Sequence, residues 1–319
     1  MKKRVGVVRG GPSSEYEVSI RSGGTVLKHL PPEKYIGIDL FISKDGLWHK
    51  NGVPTTLEEI QHHVDVVWNA LHGYYGEDGK IQQELEHFGI PYTGSEVLPS
   101  AIAMNKVLAK EHVVPLGVKT PRWVVIGEDE TLEEGVFRAF RSVGFPAFVK
   151  PASGGSSVAT RLVKNYGELE DAVEDASQYG DILIEEYIKG TEATVCVIDS
   201  TSGGEVHVLH PIEIVPTGGN EFFNYDAKYA GASEEIYPGR FTEEESLSLR
   251  DLAARVHKGL RLRHYSRSDF IVSNRGIYFL EANTLPGMTD ASLLPKAVAG
   301  EGITLAEFID HVLTMATEG

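Results

Sequence analysis

The chain has 319 residues, 41% of them hydrophobic, enough to build the cores of two or three domains. Its formal charge of −16 opposes nucleic acid or an anionic membrane as partner, and its single cysteine, Cys196, excludes internal disulfides and thiolate metal sites. No uncharged run approaches the roughly 18 residues that cross a bilayer, and no apolar leader precedes the first strand, so a cytoplasmic location is expected.

In chain order, RVGVV (4 to 8) predicts a buried strand and a glycine-rich turn then leads into a helix over 17–30. A strand over 64–71, the loop HGYYGEDG and a helix over 80–89 continue the βαβ rhythm of a parallel sheet. The pattern changes between Gly94 and Pro99. A helix over 100–112, strands over 122–126, 145–151 and 160–164, and helices over 132–143 and 167–177 form a small α+β unit. From Ile182 come strands over 182–188, 192–198 and 205–214, a polar loop from Thr217 to Arg240, a helix from Glu243 to Gly259, a hairpin and a terminal helix over 305–316. The expected class is mixed α/β in three units, 1–98, 99–183 and 184–319.

Two glycine- or carboxylate-rich places carry chemistry. PASGGSSV (151 to 158) follows the strand that ends in Lys150, and its small residues let backbone amides approach an anion; a plain Gly-Ser turn is the other reading. The hairpin SDFIV-NRG-IYFLEAN predicts a three-residue loop that pairs Ser273 with Ile277, Asp269 with Glu281 and Arg267 with Asn283. All of these would share one face with Ile271 and Phe279, since strand side chains repeat every second residue. Oxygen ligands crowded at the far end of that face suit Mg²⁺ with substrate phosphates, whereas a solvated salt-bridge ladder is the alternative.

Other signatures narrow the field by their absence. There is no GxGxxG, GxxxxGK[ST], GxSxG or HExxH motif. Twelve histidines invite a zinc reading, yet His62 and His63 are adjacent, and His207 and His210 would face opposite sides of a strand.

Taken in order, GGPSSEYEVS (10 to 19), HGYYGEDG (72 to 79), YTGS and AMNK (92 to 106), FPAFVKP and GSSV (145 to 158), EEYIKGTE (185 to 192), YDAKY (225 to 229), and RSDF, EANTLPGMT and SLLP (267 to 295) resemble the blocks of the D-alanine:D-alanine ligases of the ATP-grasp superfamily. The resemblance implies an N-terminal Rossmann-like domain and two further domains that grip ATP between them. It implies that Glu15 binds the ammonium of the first D-alanine near Val18 and His72. Lys106 and Lys150 would contact phosphates, Glu185 and Ile188 the adenine, Glu192 the ribose, and Lys228 the nucleotide. Asp269, Glu281 and Asn283 would hold two Mg²⁺ ions, or Mn²⁺. Arg267 and the Gly287 amide would stabilise the oxyanion of amide formation, with Ser292 and Leu293 beside the second substrate. The loop around 218–231 would close the site, Tyr229 reaching towards Ser156 and Glu15. A homodimer is implied as well.

Three positions depart from the family pattern. Ala159 stands where glycine is usual after GSSV, which would stiffen that loop. Asn105 stands where aspartate is frequent, with an expected effect on capping or orientation. Tyr229 stands in place of the basic loop of relatives that use D-lactate, which favours an amine acceptor, with D-lactate or D-serine the nearest alternatives. Outside the family, another ATP-grasp ligase or a silent nucleotide-binding module are the competing readings.

Overall fold

The apolar run of the first strand, Lys3–Gly10 (β1), leaves Val5, Val7 and Val8 with no exposed surface, the burial of a strand covered on both faces. The computed structural model describes residues 1–155, 159–217 and 233–318. In it β1 lies parallel to Tyr35–Ile42 (β2) and to Val66–Asn69 (β5), with helix Tyr16–His29 (α1) between β1 and β2. Trp48–Lys50 (β3) and Val53–Pro54 (β4) extend the sheet to the order β4-β3-β2-β1-β5. The sequence pattern predicts none of β2, β3 and β4, because their half-exposed residues show no clean alternation. Short helices Leu57–Ile60 (α2) and Lys80–His87 (α3) complete this region.

The helix expected over 100–112 is two helices, Val97–Met104 (α4) and Lys106–Val113 (α5). Asn105 between them is extended, and its side-chain oxygen accepts from the amides of Val107 and Leu108. An N-cap inside the apolar run thus divides it. The same division turns Lys106 into the first residue of a helix, and its backbone amide donates to Ala152.

A second sheet, in the order β6-β9-β7-β8, is antiparallel and built from Trp123–Ile126 (β6), Ala147–Pro151 (β7), Arg161–Val163 (β8) and Ile182–Glu186 (β9). Helices Leu132–Ser142 (α6) and Tyr166–Ser177 (α7) cover it, closing a core in which Val136, Ala139 and Val173 meet Val124, Val149 and Ile184. β9 runs across the expected division at 183/184, since Ile184 and Glu185 pair with β6 and β7.

The third sheet joins Thr191–Asp199 (β10), Val206–Val208 (β11), Ile212–Pro216 (β12), Ser233–Ile236 (β13), Tyr265–Ser273 (β14) and Gly276–Asn283 (β15). The single strand expected over 205–214 is split at Leu209 to Pro211, so that β11 and β12 pair with different parts of β10. Helix Glu243–Gly259 (α8) is opened by a capping box between Thr242 and Glu245 and packs on β10 and β14. Helices Leu293–Gly300 (α9) and Leu305–Glu318 (α10) carry the chain back to the first sheet. There Phe308, Ile309 and Val312 share one core with Val5, Trp68, Cys196 and Tyr265, and the Trp68 and Tyr265 rings stack at 6.0 Å. Packing of this kind makes the first and third sheets parts of one hydrophobic body.

The hairpin register corrects one expectation and keeps another. Ser273 pairs with Gly276 instead of Ile277, so the loop is the two residues Asn274 and Arg275. Leu280 is then left over between the pairs Phe270–Phe279 and Asp269–Glu281, a β-bulge that restores the expected partners Asp269–Glu281 and Arg267–Asn283. It also moves Ile277 and Phe279 off the polar face. Both pack with Phe270 in the core beneath α8, while Leu280 faces the cleft.

Candidate active site

The polar end of the β14–β15 hairpin lines one side of a cleft of about 1040 Å³ that is bounded by the second and third sheets and by the segments that follow β1 and β5. Arg267 lies largely inside the protein and forks onto Asp269 through Nε at 2.9 Å and Nη2 at 2.8 Å. Thr194 of β10 donates to the same carboxylate at 2.5 Å. Burial opposes the charge on Arg267, but Asp269 and then Glu281 outweigh it and hold the guanidinium above its ordinary range. Glu281 is 3.7 Å from Nζ of Lys106, and the Asn283 side-chain oxygen accepts from the Leu285 amide.

Two carboxylates and one amide oxygen in adjacent register are hard donors of the kind Mg²⁺ takes, and two lysines nearby would meet its phosphates. Among the described residues no group of three or more His, Cys, Asp or Glu side chains could hold a metal. A cation here would therefore complete its shell with the Asn283 amide and ligand oxygens, and the residues present fit that arrangement.

From the hairpin the cleft continues between the second and third sheets. Lys106 donates to the Gly154 carbonyl at 2.5 Å, and Lys150 pairs with Glu185 at 2.5 Å. Glu185 is almost wholly buried and also pairs with Lys110, which has no exposed surface. Burial alone would raise the Glu185 carboxyl, but Lys110 and Lys150 together bring it down to about 2. Lys110 is pulled the other way, down to about 8, by burial that Glu185 only partly offsets. Two cations around one anion leave net positive charge where Lys150 meets the cleft.

Glu185, expected beside a base, spends its carboxylate on these lysines. The strand-end residues that face the cleft are Glu186, Tyr187 and Ile188, with the Phe148 ring tilted against that of Tyr187, their centroids 5.7 Å apart. Glu192 lines the same stretch. Gly190 is required where the chain crosses to β10, since a Cβ there would lie 2.3 Å from the Val272 carbonyl oxygen.

The remaining wall comes from the segments that follow β1 and β5 of the first sheet. Glu15 precedes α1 and lines the cleft beside Gly73, while Val18 follows it, half-buried, on the first turn of that helix. His72 is buried, its Nε2 lies 2.9 Å from Ser22 Oγ, and burial lowers its imidazole below the ordinary value. Gly287 sits against Ser292, whose Oγ would be 2.7 Å from any Cβ at that position. Ser292 stands just before α9 with its Oγ accepting from the Thr289 amide at 3.1 Å, and Leu293, the first residue of that helix, lines the cleft.

Glu15, Lys106, Lys150, Ile188, Glu192, Asp269, Glu281 and Leu293 therefore line a single cleft. Ser156, Lys228 and Tyr229 lie outside the described residues. Ala159 adopts a φ of +50°, a conformation that glycine takes freely and that strains an L-residue by about 1–2 kcal/mol. Sequence reasoning missed Lys110 and Glu77. Lys110 stands one helical turn after Lys106, a spacing that could have suggested a shared face. Glu77 was inside the quoted block HGYYGEDG, but nothing local marks its burial.

A family model described as D-ala D-ala ligase C-terminus matches residues 113–314, and one described as D-ala D-ala ligase N-terminus matches residues 4–62 and 51–95. The chain is 41% identical over 317 residues to a D-alanine–D-alanine ligase of Geobacter sulfurreducens, covering 98% of this chain and 94% of that one. It is 40% identical over 319 residues to that of Geotalea uraniireducens, covering 98% and 96%. Among solved structures it is similar to the VanG D-Ala:D-Ser ligase from Enterococcus faecalis, with a TM-score of 0.89 and 28% identity over 99% of this chain and 100% of that one. A Bacillus anthracis D-alanine–D-alanine ligase complexed with ATP matches with a TM-score of 0.82 and 32% identity, covering 99% and 98%.

Proposed function

The chain belongs to the D-alanine–D-alanine ligase family, and from that membership we propose how its cleft joins two D-alanine molecules at the expense of ATP. The fold is the ATP-grasp fold, and the product, D-alanyl-D-alanine, serves peptidoglycan precursor synthesis. The observation that carries the reading is the cross-strand pairing of Arg267 with Asn283 and Asp269 with Glu281, set beside Lys106 and Lys150 in one cleft.

A carboxylate acylates poorly because oxide is a poor leaving group. The first D-alanine solves this by attacking the γ-phosphorus of ATP, giving D-alanyl phosphate and ADP. Lys106 and Lys150 offset the charge on the phosphates, and the apolar stretch from Phe148 to Ile188 receives the base, with Glu192 at the ribose. Glu15 holds the ammonium of this first substrate, with Val18 and His72 behind it. Asp269, Glu281 and Asn283 would hold Mg²⁺, which when bound spreads the charge developing on the transferred phosphoryl group. The amine of the second D-alanine then attacks the acyl carbon. Arg267 and the Gly287 amide stabilise the tetrahedral oxyanion, phosphate leaves, and Ser292 and Leu293 bound the second substrate's carboxylate and methyl group. Lys228, Ser156 and Tyr229 belong to the same proposal, as do the units 1–98, 99–183 and 184–319 and a homodimer.

Among the described residues no helix is long and apolar enough to cross a membrane. With the negative charge and the single buried thiol, this supports a cytoplasmic enzyme. The similarity to a D-Ala:D-Ser ligase makes D-serine the second reading for the acceptor. Incubation with MgATP and D-alanine, alone or with D-serine or D-lactate, separates them: the expected product has the mass of D-alanyl-D-alanine in every mixture. A dominant mixed product would transfer the assignment to the other acceptor, and phosphate release indifferent to D-alanine would end the reading.

A further inference from the structure

Glu77 is a buried carboxylate with no part in the chemistry above, and its two oxygens reach two different parts of the molecule. Oε2 accepts from the Gly73 amide at 2.7 Å, in the loop that follows β5, and Oε1 accepts at 3.2 Å from the Leu285 amide just beyond β15, which it shares with the Asn283 side-chain oxygen at 2.9 Å. Ser22, with no exposed surface on α1, makes a second bridge of the same kind. Its Oγ accepts from the Met288 amide at 3.1 Å and lies 2.9 Å from His72 Nε2. Both pins thus grip the short segment Leu285 to Met288, one on each side of Pro286 and Gly287.

We propose that Glu77 and Ser22 are positioning residues that fix the Gly287 amide relative to the wall carrying Glu15, and so align the oxyanion donor with the bound first substrate. The inference rests on the ligase reading. A main-chain donor serves an oxyanion only when it points at the place where charge develops. Gly287 has no side chain to hold it, so its direction is set by its neighbours on either side. Buried carboxylate and hydroxyl oxygens are suited to this because leaving a buried amide without its partner is costly. Burial, and then the nearby Glu15, push the Glu77 carboxyl up to about 8, so this site retains an acid in a place unfavourable to its charge.

The set predicts a split between the two half-reactions. Glu77→Gln keeps the size of the side chain but turns an NH₂ towards one of the two amides, and Ser22→Ala removes the acceptor of Met288. Each should lower kcat for dipeptide formation by about 10²-fold, the typical effect of a small misplacement in a reacting geometry. KM for ATP and D-alanine-dependent scrambling of ¹⁸O from the β,γ-bridge of ATP, which reports acyl phosphate formation, should stay at wild-type levels. Equal loss of scrambling and dipeptide formation with a lowered melting temperature in both variants would make the residues merely structural and overturn the proposal, as would unchanged kcat. A wild-type enzyme without D-alanine-dependent turnover would overturn the ligase reading itself, and this inference with it.

Discussion

Arg267→Ala is expected to lower dipeptide formation by about 10³-fold, at the upper end of what loss of one oxyanion donor costs. Arg267 does two things at once. In the proposed mechanism it offers positive charge to the tetrahedral oxyanion, and its fork onto Asp269 at 2.9 and 2.8 Å orients that carboxylate at the cleft. Removing it leaves Asp269, among the described residues, with the Thr194 hydroxyl as its close side-chain donor. Arg267→Lys keeps the charge but loses the bidentate geometry, so it should restore only part of the rate. Steady-state kinetics on the two variants checks this; an alanine variant within about 10-fold of wild type would remove Arg267 from the mechanism.

The second large effect is expected at the buried charges around Glu185. Glu185→Gln leaves Lys110 and Lys150 facing each other without their shared anion, and breaking a buried ion pair costs about 3–5 kcal/mol. Because the folded protein holds this carboxyl at about 2, below its ordinary 4.5, its stabilisation is fully present above about 4.5 and is lost as pH falls towards about 2. Urea denaturation should therefore show a large difference between variant and wild type near neutral pH that narrows across that acid window. A difference independent of pH would mean that packing, and not charge, is what Glu185 contributes. KM for ATP should rise in the same variant, since Lys150 loses the partner that holds it at the cleft.

Much of this site was legible because strands repeat every second residue and a hairpin fixes its own partners. Arg267–Asn283 and Asp269–Glu281 follow from counting back from a turn. The count reached the right pairs although the turn was one residue shorter than expected, because the bulge at Leu280 compensates. A bulge has no marker in the sequence here, so the apolar half of the face was misplaced. The break at Asn105 could have been read from its capping residue type, but the apolar run around it favours a continuous helix. The partners of Glu77, Ser22 and Lys110 were illegible for another reason. Lys110 meets Glu185 on another element, Glu77 meets Leu285 208 residues away and Ser22 meets Met288 266 residues away, and tertiary packing alone brings these partners together.

The central claim is that the carboxylate of the first D-alanine attacks the γ-phosphorus of ATP. D-alanine labelled with ¹⁸O in its carboxylate tests this in one turnover, with the released phosphate analysed by mass. The account predicts that each phosphate carries one labelled oxygen, transferred when the amine of the second substrate displaces it from D-alanyl phosphate. Phosphate released without label, alongside the labelled dipeptide, would contradict it, because the carboxylate would then have been activated by some route other than attack on ATP.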